Sequence, residues 1–318
     1  MSTYIMRRLI LAIAVLIVVT LVVFFLMRLL PGDPVLLYIS QDQFARITPE
    51  ELAAARHQYG VDRPIMVQYF SWVSGLLQGD LGKSIFSSAT VAQQIGSALP
   101  ITVHLGVLAW VISHLIAVPV GMVCAARRGT WIDNFLTIMA NIGITAPAFW
   151  VGILLIYLFG LYLGWLPIHG YTSPMEDFWL STRQVIMPVF CLCFMPLSGC
   201  VRQTRSAMLE VLRQDYIRTA WSKGLKERNV IIRHALKNGI IPVVTLAGMS
   251  IPMILGGQVI METVFGIPGM GRLAVNALFS RDYAITQGVI LIMATMVLLT
   301  NLIVDISYGW LDPRVRYN

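Results

Sequence analysis

The chain has 318 residues, 57% of them hydrophobic and only 12% charged, against roughly 45–50% and 25% in a soluble globular domain. So few charges cannot coat a water-soluble surface of this size, so the excess apolar mass faces lipid. The net charge of +7 does not indicate nucleic acid, because the basic residues stand in loops between apolar runs.

Six apolar runs have the ~20 residues that a membrane helix needs. The first is Leu9–Leu30, uncharged from Leu9 to Met27. Arg7 and Arg8 ahead of it would suit a signal peptide. Its core is longer than the roughly 7–15 residues of a signal sequence, however, and no A-x-A site follows. The second and third runs are Leu99–Ala125 and Phe135–Gly164. The fourth, Val185–Val201, is interrupted by Pro188, Pro196 and Gly199. The fifth and sixth are Ile240–Glu262 and Ala284–Gly309. Proline is tolerated in such helices when neighbours satisfy the freed carbonyls. The expected fold class is therefore an all-α polytopic membrane protein with six transmembrane helices.

Lysine and arginine in short loops set orientation. Arg7 and Arg8, Arg127 and Arg128, nine basic residues from Arg202 to Lys237, and Arg314 and Arg316 fall on one side if six spans are crossed. The opposite short loops hold only Arg183, Arg272 and Arg281. Both termini are expected to be cytoplasmic, with Trp131, Trp165 and Trp310 near the span ends. Cys124, Cys191, Cys193 and Cys200 all lie in or beside apolar segments, so no structural disulfide is expected.

Residues 31–98 form a long extracytoplasmic segment with helical signals of its own. Thr48-Pro-Glu-Glu51 places a capping threonine, a proline at the first helical position and a glutamate at the third, and Gly60 would end that helix. A second helix starts at Pro64, where Ile65, Tyr69, Val73 and Leu76 recur at helical spacing with Trp72 beside them. It reads either as a helix lying on the membrane or the bundle, or as a platform for an outer partner. Gly82-Lys83-Ser84 resembles the end of a phosphate loop, but Leu77 stands where that pattern needs glycine, so nucleotide binding is not expected there.

The loop from Arg202 to Gly239 is patterned. Met208, Leu212, Tyr216 and Ala220 recur every four residues, Lys223 suits a helix C-terminus, and Gly224 can turn the chain. Val230, Ile231, Ala235 and Leu236 suggest a further short helix. Pattern alone leaves two readings open, a protein-docking element or a basic loop on anionic lipid.

Asp215-Tyr-Ile-Arg-Thr-Ala-Trp-Ser-Lys-Gly224, followed by Arg233-His-Ala-Leu-Lys-Asn238, resembles the cytoplasmic loop of ABC importer permeases. Its general form is E-A-A, three residues, glycine, nine residues, I-x-L-P. Arg218, Thr219 and Ala220 occupy the first three positions and Gly224 matches. His234 stands at the isoleucine position, Leu236 matches, and Lys237 replaces proline. The version in dipeptide and oligopeptide permeases, D-Y-x-R-T-A-x-A-K-G with R-H-A-L-R-N, is much closer. Leu29-Leu-Pro-Gly-Asp-Pro34, Gly79-Asp-Leu-Gly-Lys-Ser84, Glu262-Thr-Val-Phe-Gly-Ile-Pro-Gly-Met-Gly-Arg272 and Asp312-Pro-Arg314 are similar to that subfamily as well, so the resemblance covers nearly the whole chain.

The resemblance implies a type I ABC importer permease fold in the bacterial cytoplasmic (inner) membrane. It implies a binding-protein-dependent importer of dipeptides, oligopeptides or a related small solute, with nickel or a metal chelate as the alternative within the family. The partners implied are a homologous second permease, two cytoplasmic ATPases and an extracytoplasmic substrate-binding protein, with membrane lipid around the spans. The chain itself would not be an enzyme, and ATP and Mg would be bound by the ATPases. Asp215, Tyr216, Arg218, Thr219, Ala220, Gly224 and Leu236 would form the ATPase-coupling loop. The implied division is 1–93 for the first span and outer segment, 94–309 for the permease domain with coupling loop 202–239, and 310–318 for a cytoplasmic tail.

Other constellations carry less. His104 and His114 do not share a helix face and read as packing residues, Cys191 and Cys193 as small hydrophobes. Asp305, near the end of span six, reads as one half of an ion pair or as a transport residue. Pro147, and Pro252 with Gly256 and Gly257, can bend helices around a pathway or serve packing. A self-sufficient secondary transporter or channel would need several buried ionisable residues or an inverted repeat. An intramembrane enzyme would need a motif such as H-E-x-x-H, which is not in the sequence. The sequence gives no metal site and leaves the substrate pathway open.

Overall fold

The computed structural model describes residues 2–29, 48–58, 62–84, 87 and 89–311. Among them the structure is helical, with one isolated bridge between Lys83 and Thr90. In chain order the helices are α1 (Ser2–Leu29), α2 (Pro49–Gln58), α3 (Ile65–Leu77), α4 (Val91–Ala126), α5 (Trp131–Thr145), α6 (Ala148–Leu155), α7 (Phe178–Val211), α8 (Asp215–Ser222), α9 (Ile241–Val264), α10 (Met270–Phe279) and α11 (Tyr283–Leu311). A π-helical stretch, Ile156–Tyr162, extends α6, and three short helical pieces fill Glu227–Gly239.

Five of these helices are long and apolar enough to cross a membrane, and the pair formed by α5 and extended α6 makes a sixth crossing if it counts as one span. The expected third span, Phe135–Gly164, is therefore not one straight helix. The chain bends by 100° between Thr145 and Ala148. Proline disfavours helical geometry in the residue before it, and Ala146 is extended, with φ −72° and ψ 125°. The fourth span is longer than its apolar run and passes unbroken through Pro188 and Pro196. The first outer motif from Leu30 to Pro34, the helix stop at Gly60 and the ending Asp312-Pro-Arg314 lie outside the described residues.

The chain divides into two compact units, one of Ser2–Ile101 with Pro268–Leu298, the other of Thr102–Ile267 with Leu299–Asn318. In the first, α3 lies on α1. Phe24 is fully buried, stacked on Trp72 at 5.8 Å and edge-on to Tyr69 at 5.3 Å. The Arg28 guanidinium sits 3.7 Å over the Phe24 ring and donates twice to Gln68. Tyr69, Trp72, Val73 and Leu76 follow the expected stripe, but Ile65 is exposed. Upstream, Thr48 and Glu51 exchange the two bonds of a capping box, at 2.8 and 3.2 Å.

The Gly82-Lys83-Ser84 segment belongs to the same unit, and its serine has a structural partner. Asp80 accepts from the Gly82 amide at 2.8 Å. The Ser84 hydroxyl donates to Asp282, which is buried and caps α11 by accepting from the Ile285 amide. Val91, Ile95, Met270, Ile285 and Val289 form the core beside it.

In the second unit α4 and α7 meet at Gly121. A Cβ there would lie 2.6 Å from Thr204 Cβ and 2.8 Å from the Val201 carbonyl. Lipid supplies no hydrophobic drive for helix pairing, so close backbone approach through small residues takes its place. Ala117, Cys124, Ala140, Cys200, Val201 and Val243 pack around this crossing, and all four cysteines are buried.

Candidate functional site

The patterned loop begins where α7 ends. The expected four-residue stripe from Met208 to Ala220 is split: α7 runs to Val211, the chain turns through Leu212–Gln214, and α8 starts at Asp215. The stripe still works in part, because Met208 and Ala220 enter one core from different helices. That core holds Ala125, Met208, Ile217, Ala220, Val230 and Ala235, with Leu236 packed against it. Fully burying a side chain such as Ile217 or Met208 contributes ~1.5–3 kcal/mol where it would otherwise meet water. The loop is thus a folded element rather than a tether.

Gly224 closes α8. Its φ is +73°, and its amide donates to the Trp221 carbonyl at 2.9 Å. Side chains avoid this region because Cβ crowds the backbone. The chain then runs through Glu227–Asn229, the π-helical turn Val230–Ala235 and Leu236–Gly239, where one short helix was expected. Asn238 Nδ2 donates to the Tyr216 hydroxyl at 2.7 Å, tying the two arms together.

The candidate residues do not all face one way. Asp215, Tyr216, Arg218 and Thr219 are exposed, whereas Ala220 is buried and Leu236 half-buried. Ala220 therefore holds α8 against its own core. Trp221, 45% exposed, stands on the open face beside Arg218 and was not singled out by the motif. A large aromatic in water was the available signal. The Asp215–Arg218 pair, 3.5 Å apart and exposed on both sides, contributes little to stability.

The remaining candidates lie outside this loop. His104 Nδ1 and the Tyr171 hydroxyl form a 2.9 Å hydrogen bond. His114 Nδ1 lies 2.8 Å from the Trp110 carbonyl, and Cys193 Sγ donates to the Ala109 carbonyl. Asp305 is half-buried. No group of His, Cys, Asp or Glu among the described residues has metal-site geometry. A cavity of about 800 Å³ opens between α4, α5 and α7, lined by residues such as Leu108, Ile112, Met139, Val185 and Phe190. His104 and Cys193 are the titratable residues in its lining, which holds no carboxylate, lysine or arginine.

Comparison with known proteins agrees with this architecture. Residues 117–317 match the family described as binding-protein-dependent transport system inner membrane component, and residues 1–106 match the N-terminal membrane component of the same transport systems. The chain is 39% identical over 318 residues to a putative peptide transport system permease protein of Brucella abortus (strain 2308), covering 100% of both. It is 38% identical to an oligopeptide transport system permease protein of Bacillus subtilis (strain 168), again covering 100% of both. It is 37% identical to a di/tripeptide transport system permease protein of Pseudomonas aeruginosa (strain UCBPP-PA14), covering 100% of this chain and 99% of that one. Among solved structures, a chain of the inward-facing MetNI methionine ABC transporter superposes with a TM-score of 0.57 at 14% identity, covering 69% of this chain and 97% of that chain. At that identity the likeness concerns the fold.

Proposed function

The chain belongs to the family of binding-protein-dependent transport system inner membrane components and is a permease subunit of an ABC importer, and on that premise we propose that its cargo is a short peptide and that α8 is the helix on which a partner ATPase pulls. The cargo reading rests on full-length identity of 37–39% to relatives named as peptide permeases. The chain pairs with a second, homologous permease, and an extracytoplasmic binding protein delivers the peptide. Two cytoplasmic ATPases bind ATP and Mg and close on each other. Both termini and residues 202–239 lie on the cytoplasmic side.

The observation that carries the coupling role is the division of α8 into two faces. Ile217 and Ala220 lock it to the ends of α4 and α7 through a shared core, while Tyr216, Arg218, Thr219 and Trp221 remain exposed. A helix held this way transmits force as a rigid body instead of bending away. Asp215, Tyr216, Arg218 and Thr219 make contact, Ala220 and Leu236 hold the element to its spans, and Gly224 sets its exit angle. The test is reconstitution of the four membrane-associated subunits with the binding protein in vesicles. ATP-dependent uptake of a radiolabelled tripeptide is expected, and no uptake across a panel of di- to pentapeptides, with uptake of another solute class instead, would overturn the cargo reading.

A further inference from the structure

Asp133 stands in the first turn of α5 and is 2% exposed. Arg205 of α7 grips both its oxygens, Nε to Oδ1 at 2.7 Å and Nη2 to Oδ2 at 2.8 Å. The Gly129 amide donates to Oδ2 at 3.0 Å, and the Thr137 hydroxyl reaches Oδ1 at 3.4 Å. This is forked, two-point recognition that a lysine cannot reproduce. A half-buried ion pair, its carboxylate inside and its guanidinium 30% exposed, is weak evidence of added stability, because apolar residues of similar volume often serve as well. Its place in the fold points to a different use.

Arg205 is one turn before Met208, and Met208 shares a core with Ile217 and Ala220 of α8. Thr204, next to Arg205, is the residue that meets Gly121 of α4. One short stretch of α7 thus touches α4, grips α5 and carries α8. At its other end α5 stops at the break before Ala148, so it can tilt without dragging α6 along a continuous helix.

We infer that the Asp133–Arg205 pair is a positioning strut that makes α5 move with α7 when α8 is displaced, which rests on α8 being the ATPase-docking helix. The pair passes motion to the third span; it does not hold the ATPase. The double variant Asp133→Asn/Arg205→Gln removes both charges and leaves neither unpaired in the interior. Arg205→Lys keeps the charge and loses the fork.

The test uses the complete importer in lipid vesicles, with spin labels at Trp131→Cys on α5 and Arg202→Cys on α7, both exposed positions. In the otherwise native chain the distance between labels should stay the same without nucleotide and in the vanadate-trapped ATP state. In the double variant that distance should shift between states by on the order of 2 Å, while the ATPases still co-purify. Stimulation of ATP hydrolysis by the binding protein should fall roughly three- to thirtyfold, and less in Arg205→Lys. An unchanged distance and stimulation in the double variant would overturn the strut. So would loss of the ATPases from the complex, since the pair would then only be holding the docking element in shape. Gly224→Val, run in parallel, separates the two ideas: if it keeps both ATPases and full stimulation, α8 is not the docking helix, whatever the pair does.

Discussion

Gly224 is constrained by its backbone alone. Its φ is +73°, and a Cβ there would meet nothing within 4 Å, so a substitution costs conformational strain and no clash. That strain is ~1–2 kcal/mol for an ordinary residue and more for a β-branched one. Gly224→Val should leave membrane insertion intact and reduce ATPase co-purification and uptake together, with Gly224→Ala intermediate. Normal association and uptake at normal expression would remove the residue from the coupling element. Trp221 makes a complementary case. As an exposed aromatic on the open face of α8, it is the side chain best suited to anchor a partner. Trp221→Ala should weaken ATPase binding by about 2 kcal/mol, roughly thirtyfold, measured by titration against the detergent-solubilised permease pair. An effect below about threefold would exclude it as an anchor. The glycine was legible in the sequence because its signal is local, a turn residue after a helix. The inward direction of Ala220 was not, since it depends on where α7 ends, and a four-residue repeat runs across that break without showing it.

At the scale of elements, local chemistry was again the legible part. The capping box at Thr48 and the helix after Pro64 form where the residues indicate, because each is decided within a few positions. Contacts made across long stretches were not legible: Ser84 meets Asp282 and Asp133 meets Arg205, and nothing local announces either. Pro147 was legible as a residue able to bend the third span, but the size of the break was not: membrane proline is compatible with either a continuous helix, as at Pro188 and Pro196, or a break. Two predictions belong here. The Thr48 backbone amide, and then the Thr48 hydroxyl contact, hold the Glu51 carboxyl below its ordinary value of 4.5. A depressed value means that the ionised form stabilises α2 above the ordinary range, and that this contribution is lost as pH falls through the lowered value. Amide hydrogen exchange in Glu51–Ala54, corrected for intrinsic rates, should quicken through that acidic window. Glu51→Gln keeps a capping partner that does not titrate, so it should abolish the pH dependence; persistence of the dependence in that variant would assign it elsewhere. At the α4–α7 crossing, Gly121→Leu forces a side chain into Thr204 and the Val201 carbonyl. It should lower the detergent melting temperature and the yield of the folded chain far more than Gly256→Leu, whose Cβ position is open. Equal losses would show that the crossing is not close-packed.

The whole molecule turns on whether α5 and extended α6 cross the bilayer once or return to the side they left. Each arm has about fifteen residues, or ~22 Å of helix, too short alone for a hydrocarbon core of ~30 Å. With the observed 100° bend the two ends lie roughly 28 Å apart, taking both arms at that length, so the pair can reach across when its ends point along the membrane normal. The distribution of basic residues favours that single crossing. Arg127 and Arg128 precede the pair, and the cluster from Arg202 to Lys237 follows the next span. These fall on the same side only if the pair counts as one crossing. A re-entrant pair would put α8 on the outer face, away from ATP and from any cytoplasmic ATPase. Single cysteines decide it. Thr130, Met175 and Lys226 are exposed, Met175 at 99%, and the native thiols are buried, so an impermeant maleimide should report the introduced cysteine. In intact cells Met175→Cys should label, while Thr130→Cys and Lys226→Cys should label only after the membrane is opened. Labelling of Thr130→Cys and Met175→Cys from the same face would make the pair re-entrant. It would reduce the spans to five, and it would remove the coupling role of α8 and the strut at Asp133–Arg205 together.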